Sequence, residues 1–258
     1  MDANFKLIHT SNTNSYKVVH GLCKKIQKGF CVDIGAGDGI NQSNVYNLIR
    51  LGWAAYMIEG RKSEFEKLAQ NYESVGLIGG VDMDNSYAKP HNIVSLMEEA
   101  KVPKDFQFLN IDVDGYDYGI LEKILKEYHP DVICAGAAEF IPPPICFAVK
   151  YYKNYKRYKG HFAGCSLQAL AGLCGANGYK LVKYHYNNAF FVDNHNLEYQ
   201  ELSTREAYKK GYVDRTNRKE MFPGNKDVEC LLTMSPEKGV EFLERMFESR
   251  KPYYYLYV

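Results

Sequence analysis

The sequence predicts an α/β protein in which helices cover both faces of a mostly parallel, seven-stranded sheet. Two observations favour this fold. Short apolar runs alternate with amphipathic segments through most of the chain, which is typical of strand–helix–strand units. In addition, the last two predicted strands, 179–184 and 189–193, are separated only by a short polar turn. They should therefore form an antiparallel hairpin at one edge of the sheet.

The elements follow one another with little intervening sequence. The apolar runs predict strands at 30–34, 54–58, 75–81, 106–112, 131–136, 179–184 and 189–193. A first amphipathic helix is predicted at 13–27. Pro90 and Asn92 favour the start of another helix, and Pro103 follows its end. The helices that fill the gaps between strands are expected at 41–51, 62–72, 91–100, 117–127 and 165–177.

Length and composition fit one domain. The chain has 258 residues, of which 46% are hydrophobic, and this is enough to bury a sizeable core. We expect the core at about 28–195, the N-terminal helix before it and a charged, partly helical extension at 197–258. This extension could pack on the domain, act as a lid or form a homodimer contact. The net charge of +1 gives no general attraction to nucleic acid.

The cysteine pattern and the hydropathy predict a cytoplasmic location. The seven cysteines include no Cys-x-x-Cys pair, and several lie in apolar segments, so reduced and buried thiols are expected. No run reaches the ~18 apolar residues of a membrane span. The first residues also lack the apolar region of a secretory signal.

The most informative stretch is residues 30–39, an apolar strand that breaks into Gly35, Gly37 and Gly39. Glycine allows positive φ and lets a ligand approach bare backbone. A helix start beyond the turn would favour polar or anionic groups. A dinucleotide turn would require a third glycine where Ile40 stands. The turn therefore predicts a nucleotide-like ligand of another kind.

Two acidic residues accompany this turn. Asp33 lies inside the first strand and can face the ammonium group of an amino acid, whereas Glu59 follows strand 54–58 and can bridge a ribose diol. Together with the glycines, these acids resemble the S-adenosylmethionine (SAM) site of class I methyltransferases. The alternative is an ordinary tight turn in an α/β protein, with Glu59 merely exposed.

Further motifs resemble the FkbM-type SAM-dependent methyltransferases over about residues 28–195. The motifs that carry this resemblance are Phe108–Tyr118, Ser43-Asn44, Gly52-Trp53, Cys165–Leu170, Gly178–Val182 and Asn188–Val192. The resemblance implies a Rossmann-like class I fold whose terminal strand is antiparallel. It also implies methyl transfer to an oxygen of a sugar or another small metabolite, for example in surface-polysaccharide or natural-product modification.

The residues that match the family's cofactor site are drawn from the ends of several strands. The implied SAM contacts are Asp33, Gly35, Gly37, Ser43, Glu59 and Asp112. Ala36 and Asp38 join this set because they lie within the glycine turn. Asp82, near the end of the third strand, is a candidate partner for the adenine amino group. A solvated loop aspartate is an equally good interpretation of Asp82.

Catalysis of methyl transfer to a hydroxyl requires alignment of the reactants and a nearby base. Asp114, Glu139 and His161 are the candidate catalytic residues, and Asp112 is a further possibility for the base. Asp114 could instead form an Asp-Gly turn, and His161 could be an exposed loop histidine. Glu139 follows an apolar strand and precedes three prolines, which favours a functional carboxylate at a rigid strand end.

A metal ion is possible but not expected. Asp112-Val113-Asp114 resembles the first part of the divalent-cation site of some sugar O-methyltransferases, and Glu139 could add an oxygen ligand. Such ligands would suit Mg²⁺ or Ca²⁺. The adjacent pair of aspartates that usually completes the site is missing, with Glu139 standing alone.

The Tyr- and Lys-rich segment 151–159 leaves the partner open. Alternating aromatic and basic residues could stack bases and hold phosphates, as in a nucleic-acid-binding module or an RNA methyltransferase. We prefer a small anionic acceptor, such as a nucleotide-sugar or a phosphorylated metabolite, because the net charge is low and acceptor-binding insertions occur at this place in class I enzymes. A third alternative is a SAM-binding protein without catalytic activity.

Overall fold

A computed structural model describes residues 5–153, 155 and 160–258. The chain separates into two compact units: Met1–Val113 with Lys123–Cys134, and Asp114–Glu122 with Ala135–Val258. The strands are β1 Phe30–Ile34, β2 Ala54–Ile58, β3 Val81–Asp84, β4 Phe108–Ile111, β5 Val132–Gly136, β6 Cys146–Val149, β7 Tyr179–His185, β8 Asn188–Asp193 and β9 Tyr254–Tyr257. The α-helices are α1 Ser15–Cys23, α2 Tyr46–Arg50, α3 Lys62–Ser74, α4 Ile93–Glu99, α5 Asp117–Ile124, α6 Leu167–Ala176, α7 Thr204–Tyr208, α8 Arg218–Met221 and α9 Pro236–Met246.

Seven strands form one sheet with the order β3-β2-β1-β4-β5-β8-β7. β1 pairs in parallel with β2 and β4, and β2 pairs in parallel with β3. β7 and β8 are antiparallel, as the short turn between them predicts. The mostly parallel α/β fold with a terminal hairpin is therefore confirmed. Strand order reverses beside β1, and in Rossmann-like sheets ligands bind outside the carboxyl ends of the strands at such a point.

The central strands of the first unit are buried apolar runs. The predicted bounds of β1 and β2 are confirmed residue for residue. Apart from Asp33, both strands are apolar, because both faces of a parallel sheet are covered. The register aligns Asp33 of β1 with Met57 of β2 and with Asn110 of β4. Two polar side chains on adjacent strands are thus placed side by side inside an apolar layer.

The third strand differs from the prediction. It spans Val81–Asp84 rather than 75–81. Val75 and Ile78 are about half exposed, with relative accessibilities of 49% and 52%. Gly76 and Gly80 adopt positive φ values of 70° and 104°, which interrupts an extended strand. The apolar run before Val81 is therefore a surface loop.

The helix after the glycine turn also begins later than predicted. α2 starts at Tyr46 instead of residue 41 and has only five residues. Gln42 has a positive φ of 62°, and its N–H donates to the Thr10 carbonyl, so the chain is not helical there. The expected helix N-terminus beside Gly39 is consequently absent from this part of the described chain, and a ligand at the turn would meet turn backbone instead.

The other predicted helices are confirmed with small shifts at their ends. The longest is α3, with 13 residues, which corresponds to about 20 Å of helix. Ser166 caps α6 because its hydroxyl accepts a hydrogen bond from the Ala169 N–H. Across the described ranges, no helix combines the length and the apolar character needed to cross a bilayer.

The second unit contains a small sheet that the sequence analysis missed. β6 and β9 are antiparallel strands of four residues each, and Phe147 of β6 pairs with Leu256 of β9. Beneath them lies an aromatic cluster in which Phe147 has ring centroids 5.2 Å from Phe247 and 6.1 Å from both Phe162 and Tyr254. Residues 197–258 thus contribute a strand, helices and core side chains to this unit.

Phe147→Ala tests how much the aromatic cluster stabilises the second unit. Phe147 is fully buried, so removing its ring leaves a cavity and should lower the free energy of unfolding by about 3–5 kcal/mol. Leu197→Ala is the control, since Leu197 is 93% exposed. Urea denaturation followed by circular dichroism measures both variants; equal stability of the two would contradict the assignment of Phe147 to a core.

Candidate functional site

The glycine turn folds over the end of β2. The N–H groups of Gly35 and Ala36 both donate to the Ile58 carbonyl, at 2.9 and 3.1 Å. The N–H of Gly37 donates to Oε2 of Glu59 at 2.8 Å. The backbone of the turn and the carboxylate at the end of β2 are therefore joined directly, and the predicted cofactor residues of the turn lie together with Glu59.

The three glycines of the turn have positive φ, and each is required for a different reason. A Cβ on Gly35 would lie 2.1 Å from the Asp112 carbonyl oxygen, so β4 allows no side chain there. A Cβ on Gly39 would lie 2.3 Å from Leu68, and the Tyr72 hydroxyl donates to the Gly39 carbonyl. A Cβ on Gly37 would meet nothing within 4 Å. Gly37 thus leaves open space at the turn.

Glu59 is a buried carboxylate at the end of β2. Its exposed fraction is 4%, and each of its two oxygens accepts a backbone hydrogen bond. Oε2 accepts from Gly37, and Oε1 accepts from the Arg61 N–H at 2.7 Å and lies 3.3 Å from Arg61 Nε. Arg61 Nε occupies the second acceptor position of Oε1, but Oε2 keeps one, so Glu59 can still receive a hydrogen bond from a ligand.

Asp33 is buried at 2% exposure in the middle of the parallel strands. Its Oδ1 accepts a hydrogen bond of 2.7 Å from the Asn110 side-chain amide. Burial raises the pKa of Asp33 to about 6, while the Asn110 hydrogen bond opposes this rise and the Glu59 charge adds to it. Asp33 thus carries a charge that is costly near neutral pH unless a cation comes close.

Asn110 begins a buried chain of side-chain hydrogen bonds that the sequence analysis did not identify. Its Oδ1 accepts from Asn44 Nδ2 at 2.9 Å, and Asn44 Oδ1 accepts from the Ser15 hydroxyl at 2.6 Å. Asn44, Asn110 and Ser15 are all buried. The available signal was an asparagine inside the apolar strand Phe108–Ile111, where an unpaired amide would be costly.

Two of the predicted cofactor residues stabilise the local backbone. Asp38 accepts hydrogen bonds from the N–H groups of Ile40 and Asn41, at 3.0 and 2.7 Å. Burial opposes its ionisation, but these hydrogen bonds and the Asn41 side chain prevail and lower the pKa of Asp38. The Ser43 hydroxyl accepts from the Val45 and Tyr46 N–H groups. Both side chains thus shape the segment between Gly39 and α2.

Asp82 and Asp112 occupy different positions relative to the strand ends. Asp82 is exposed and lies inside β3, in register with Tyr56, whereas Asp84 ends the strand. Asp82 thus lies two residues before the end of β3, and its contact with an adenine amino group stays a prediction. Asp112 follows β4 directly, is exposed, and its N–H donates to the Ile34 carbonyl.

In the second unit, Asp114 forms part of a turn. It has a positive φ of 53°, and its carbonyl accepts a hydrogen bond of 3.0 Å from the Tyr155 hydroxyl. The next N–H, that of Gly115, donates to Oδ2 of Asp117 at 3.0 Å. This geometry favours the turn-forming interpretation of Asp114.

Glu139 lies in a polar and aromatic environment built by the C-terminal region. Its Oε1 accepts a hydrogen bond of 2.7 Å from Asn225 Nδ2, and its backbone carbonyl accepts from the Tyr208 hydroxyl at 2.5 Å. Asn225 Nδ2 also lies 3.2 Å from the Tyr212 hydroxyl. Burial raises the pKa of Glu139, and the Asn225 hydrogen bond partly offsets this rise. The sequence gave no sign of Asn225, which is 86 positions away.

His161 is paired rather than free. Its Nε2 lies 2.9 Å from Oδ1 of Asp227, and its ring contacts Phe140 with centroids 4.7 Å apart. The imidazole side chain is only 15% exposed. The alternative of an exposed loop histidine is therefore wrong, because Asp227 and Phe140 hold and cover the ring.

The remaining expectations concern metal and nucleic acid. In residues 5–153, 155 and 160–258, no group of three or more His, Cys, Asp or Glu side chains could hold a metal ion. Of the segment 151–159, residues 154 and 156–159 lie outside the described residues. Tyr152 stacks on Tyr253 with centroids 4.1 Å apart, and Tyr155 contacts Tyr116 at 5.2 Å. These two rings therefore contact other rings of the protein.

Comparison with known proteins gives only structural likenesses. No protein-family model and no curated protein matches the chain, so the resemblance to FkbM-type enzymes stays a prediction.

Three solved structures illustrate the likeness in fold. Magnesium protoporphyrin IX methyltransferase (ChlM) from Synechocystis PCC 6803, with bound SAM, is 11% identical; the match covers 69% of this chain and 76% of that one, with a TM-score of 0.45. The N-terminal domain of EvdMO1, in the presence of SAH and D-fucose, is 10% identical over 75% and 88% of the chains, with a TM-score of 0.46. TehB from Haemophilus influenzae is 11% identical over 74% and 64%, with a TM-score of 0.45. At these identities and TM-scores the likenesses carry no information about the substrate of this chain.

The unequal surroundings of two glycines give a stability prediction. Gly35→Ala should lower the free energy of unfolding by more than about 3 kcal/mol, because the new methyl group would meet the Asp112 carbonyl. Gly37→Ala should cost only about 1–2 kcal/mol, the strain of a left-handed residue, since its Cβ would enter open space. Urea denaturation measures both; a larger loss for Gly37→Ala would contradict this geometry.

Asp33 predicts a specific dependence of stability on pH. Its folded pKa of about 6 lies above the ordinary value of 3.8, so the folded state binds the extra proton between these pH values. Protonated Asp33 therefore contributes to the free energy of unfolding at low pH, and this contribution is lost as the pH rises through about 6. Asp33→Asn removes this dependence, so from pH 4.5 to pH 8 the stability of the variant should rise by about 2 kcal/mol relative to that of the wild type.

Urea denaturation of the ligand-free protein at the two pH values measures this gain. Asp105→Asn is the control, because the Asp105 side chain is 87% exposed. The same stability difference between Asp33→Asn and the wild type at both pH values would show that Asp33 is not a buried acid of raised pKa.

Proposed function

We propose that this chain is a SAM-dependent methyltransferase that acts on a small polar acceptor, most simply at an oxygen atom. The observation that carries the proposal is the pair of buried carboxylates, Asp33 and Glu59, at an open glycine turn on the reversal point of a parallel sheet. The proposal includes the FkbM-type family, on the motifs quoted from the sequence, and an acceptor such as a sugar, a nucleotide-sugar or a phosphorylated metabolite.

The chemistry of the first unit fits such a cofactor. In the part of the chain that the structure describes, Asn110 is the one donor to the Asp33 carboxylate, and it uses Oδ1. The other oxygen can receive a hydrogen bond from an ammonium group, which would also offset the cost of the buried charge. Oε2 of Glu59 has acceptor capacity for one hydroxyl of a ribose, and a second hydroxyl would take the place of Arg61 Nε at Oε1. Gly37 leaves space for a ligand against the backbone.

The chain's own residues then have separate tasks. SAM, when bound, supplies an activated methyl group on a sulfonium. Asp33 and Glu59 would hold opposite ends of the cofactor and fix its orientation, which is the main requirement of an in-line displacement. Glu139, with its raised pKa, would accept a proton from the hydroxyl of the acceptor. Burial of Glu59 and Asp33 keeps competing water from these contacts.

Isothermal titration calorimetry with SAM tests this proposal. The wild type should bind SAM, and Asp33→Asn and Glu59→Gln should each weaken binding about 10- to 100-fold, because each loses a charge-assisted contact worth about 1.5–3 kcal/mol. Asp105→Asn, an exposed aspartate, should bind as the wild type does. Absence of heat with both SAM and S-adenosylhomocysteine would falsify the proposal.

Release of S-adenosylhomocysteine separates an enzyme from a SAM-binding protein without activity. Nucleotide-sugars and phosphorylated sugars are the first acceptors to test, alongside a small-molecule extract and RNA. Release with the sugars supports the proposed acceptor class. SAM binding without release in any mixture would favour the inactive alternative, and release only with RNA would favour an RNA methyltransferase.

A further inference from the structure

One short turn in the C-terminal region contacts two of the candidate catalytic residues. Asn225 donates to Oε1 of Glu139 at 2.7 Å, and Asp227 lies 2.9 Å from Nε2 of His161. Asn225 and Asp227 both belong to the 3₁₀ turn Pro223–Asp227, which we call the 223–227 turn. The carboxylate and the imidazole are therefore held from the same piece of backbone, although they lie on different segments of the chain.

Polar atoms beside Glu139 remain without partners. Apart from the Glu139 backbone N–H, which also stabilises the charged carboxyl, no described residue donates to the second carboxylate oxygen, Oε2. The Tyr184 hydroxyl is fully buried and has no hydrogen-bond partner within the same described ranges. Burial is the main cause that raises the pKa of Tyr184, and the negative charge of Glu139 raises it further. An unpaired buried hydroxyl is costly, so a bound polar group is the expected partner for these atoms.

Several groups surround the Glu139 carboxyl, and their effects oppose one another. Burial raises the pKa of Glu139, and the Asn225 hydrogen bond and the charge of His161 lower it, while Asp114 raises it. The hydroxyls that feel the Glu139 charge belong to Tyr184, Tyr208 and Tyr212. Arg218 lies over the Tyr212 ring and is paired with Glu229. The net effect is a pKa of Glu139 above its ordinary value, with burial as the main cause.

We propose that the 223–227 turn positions the proton acceptor of the reaction. Asn225 holds Oε1 of Glu139 so that Oε2 faces the acceptor, and Asp227 holds His161 beside this carboxylate. In the step that Glu139 performs, the O–H bond of the acceptor breaks and an O–H bond to Oε2 forms, while the electron pair stays on the acceptor oxygen. This inference rests on the proposed function. Asn225 and Asp227 are positioning residues in it.

NMR titration of the full-length protein tests the contact at Glu139. With carbon-13 in the glutamate side chains, the Glu139 signal is identified by its loss in Glu139→Gln. Asn225→Leu should lower the acid dissociation constant of Glu139 about tenfold, because the carboxylate loses the donor that stabilises its charge. Asn225→Asp keeps the size of the side chain. It should lower the acid dissociation constant of Glu139 at least as much, because it adds a negative charge beside the carboxylate.

The histidine contact is read from the ring nitrogen-15 signals. Asp227→Asn should shift the His161 ring signals, because Nε2 loses its charged partner. Asp193→Asn is a matched control: it makes the same change at another Asp–His pair, in which His195 is 98% exposed and lies 2.9 Å from Asp193. This control should move the His195 signals and leave those of His161 and Glu139 in place.

The outcomes separate this inference from the proposed function. An unchanged Glu139 titration in both Asn225 variants overturns the role of the turn; if Asn225→Leu does not fold, Asn225→Asp decides. SAM calorimetry on the same samples should give wild-type affinity in the Asn225 and Asp227 variants. Normal SAM binding with an unchanged titration overturns the turn proposal alone. Failure of the wild type to bind SAM overturns the proposed function and, with it, the catalytic meaning given to the turn.

Discussion

Burial of the Asp33 carboxylate is the constraint on which the first unit depends. A charged group within a parallel sheet loses its hydration, and a core that served only stability would place an apolar side chain there. Polar residues on neighbouring segments form a chain of hydrogen bonds to this carboxylate. Asn110 of β4 donates to Asp33, Asn44 donates to Asn110, and Ser15 of α1 donates to Asn44. Three elements are thus arranged around one acid. A site that lowers stability in this way is typical of a group retained for binding.

The glycine turn and Glu59 complete this arrangement from the other side. Gly37 donates to Glu59, and Gly35 lies so close to the Asp112 carbonyl that β1 and β4 meet without an intervening side chain. Hydrogen bonds to both oxygens fix the direction of the Glu59 carboxylate before any ligand binds. The preorganised acids would therefore spend little binding energy on ordering side chains.

The sequence predicted the elements whose signals are local. β1 and β2 are mostly apolar runs with clear boundaries, and a short polar turn separates the strands of the terminal hairpin; the prediction of these elements was confirmed. The third strand was misplaced because an exposed apolar loop precedes Val81 and local hydropathy cannot tell the two apart. β6 and β9 were missed because four residues carry little periodicity. At the candidate site, Asp33, Glu59 and Gly37 are placed together, but Asn225 and Asp227 come from a region without a motif. Only tertiary contacts reveal such partners.

The spacing of these contacts along the chain has a consequence for how the molecule forms. Gly37 and Glu59 are 22 positions apart, whereas Asn225 bonds to a residue 86 positions earlier, and β9 pairs with a strand that precedes it by about a hundred residues. Contacts between distant positions close long loops and develop late and slowly. During synthesis from the N-terminus, the glycine turn can therefore acquire its shape while the surroundings of Glu139 are still incomplete. The hydrogen bond of Asn225 to Glu139 can therefore form only after residue 225 has been synthesised, long after Gly37 and Glu59 can meet.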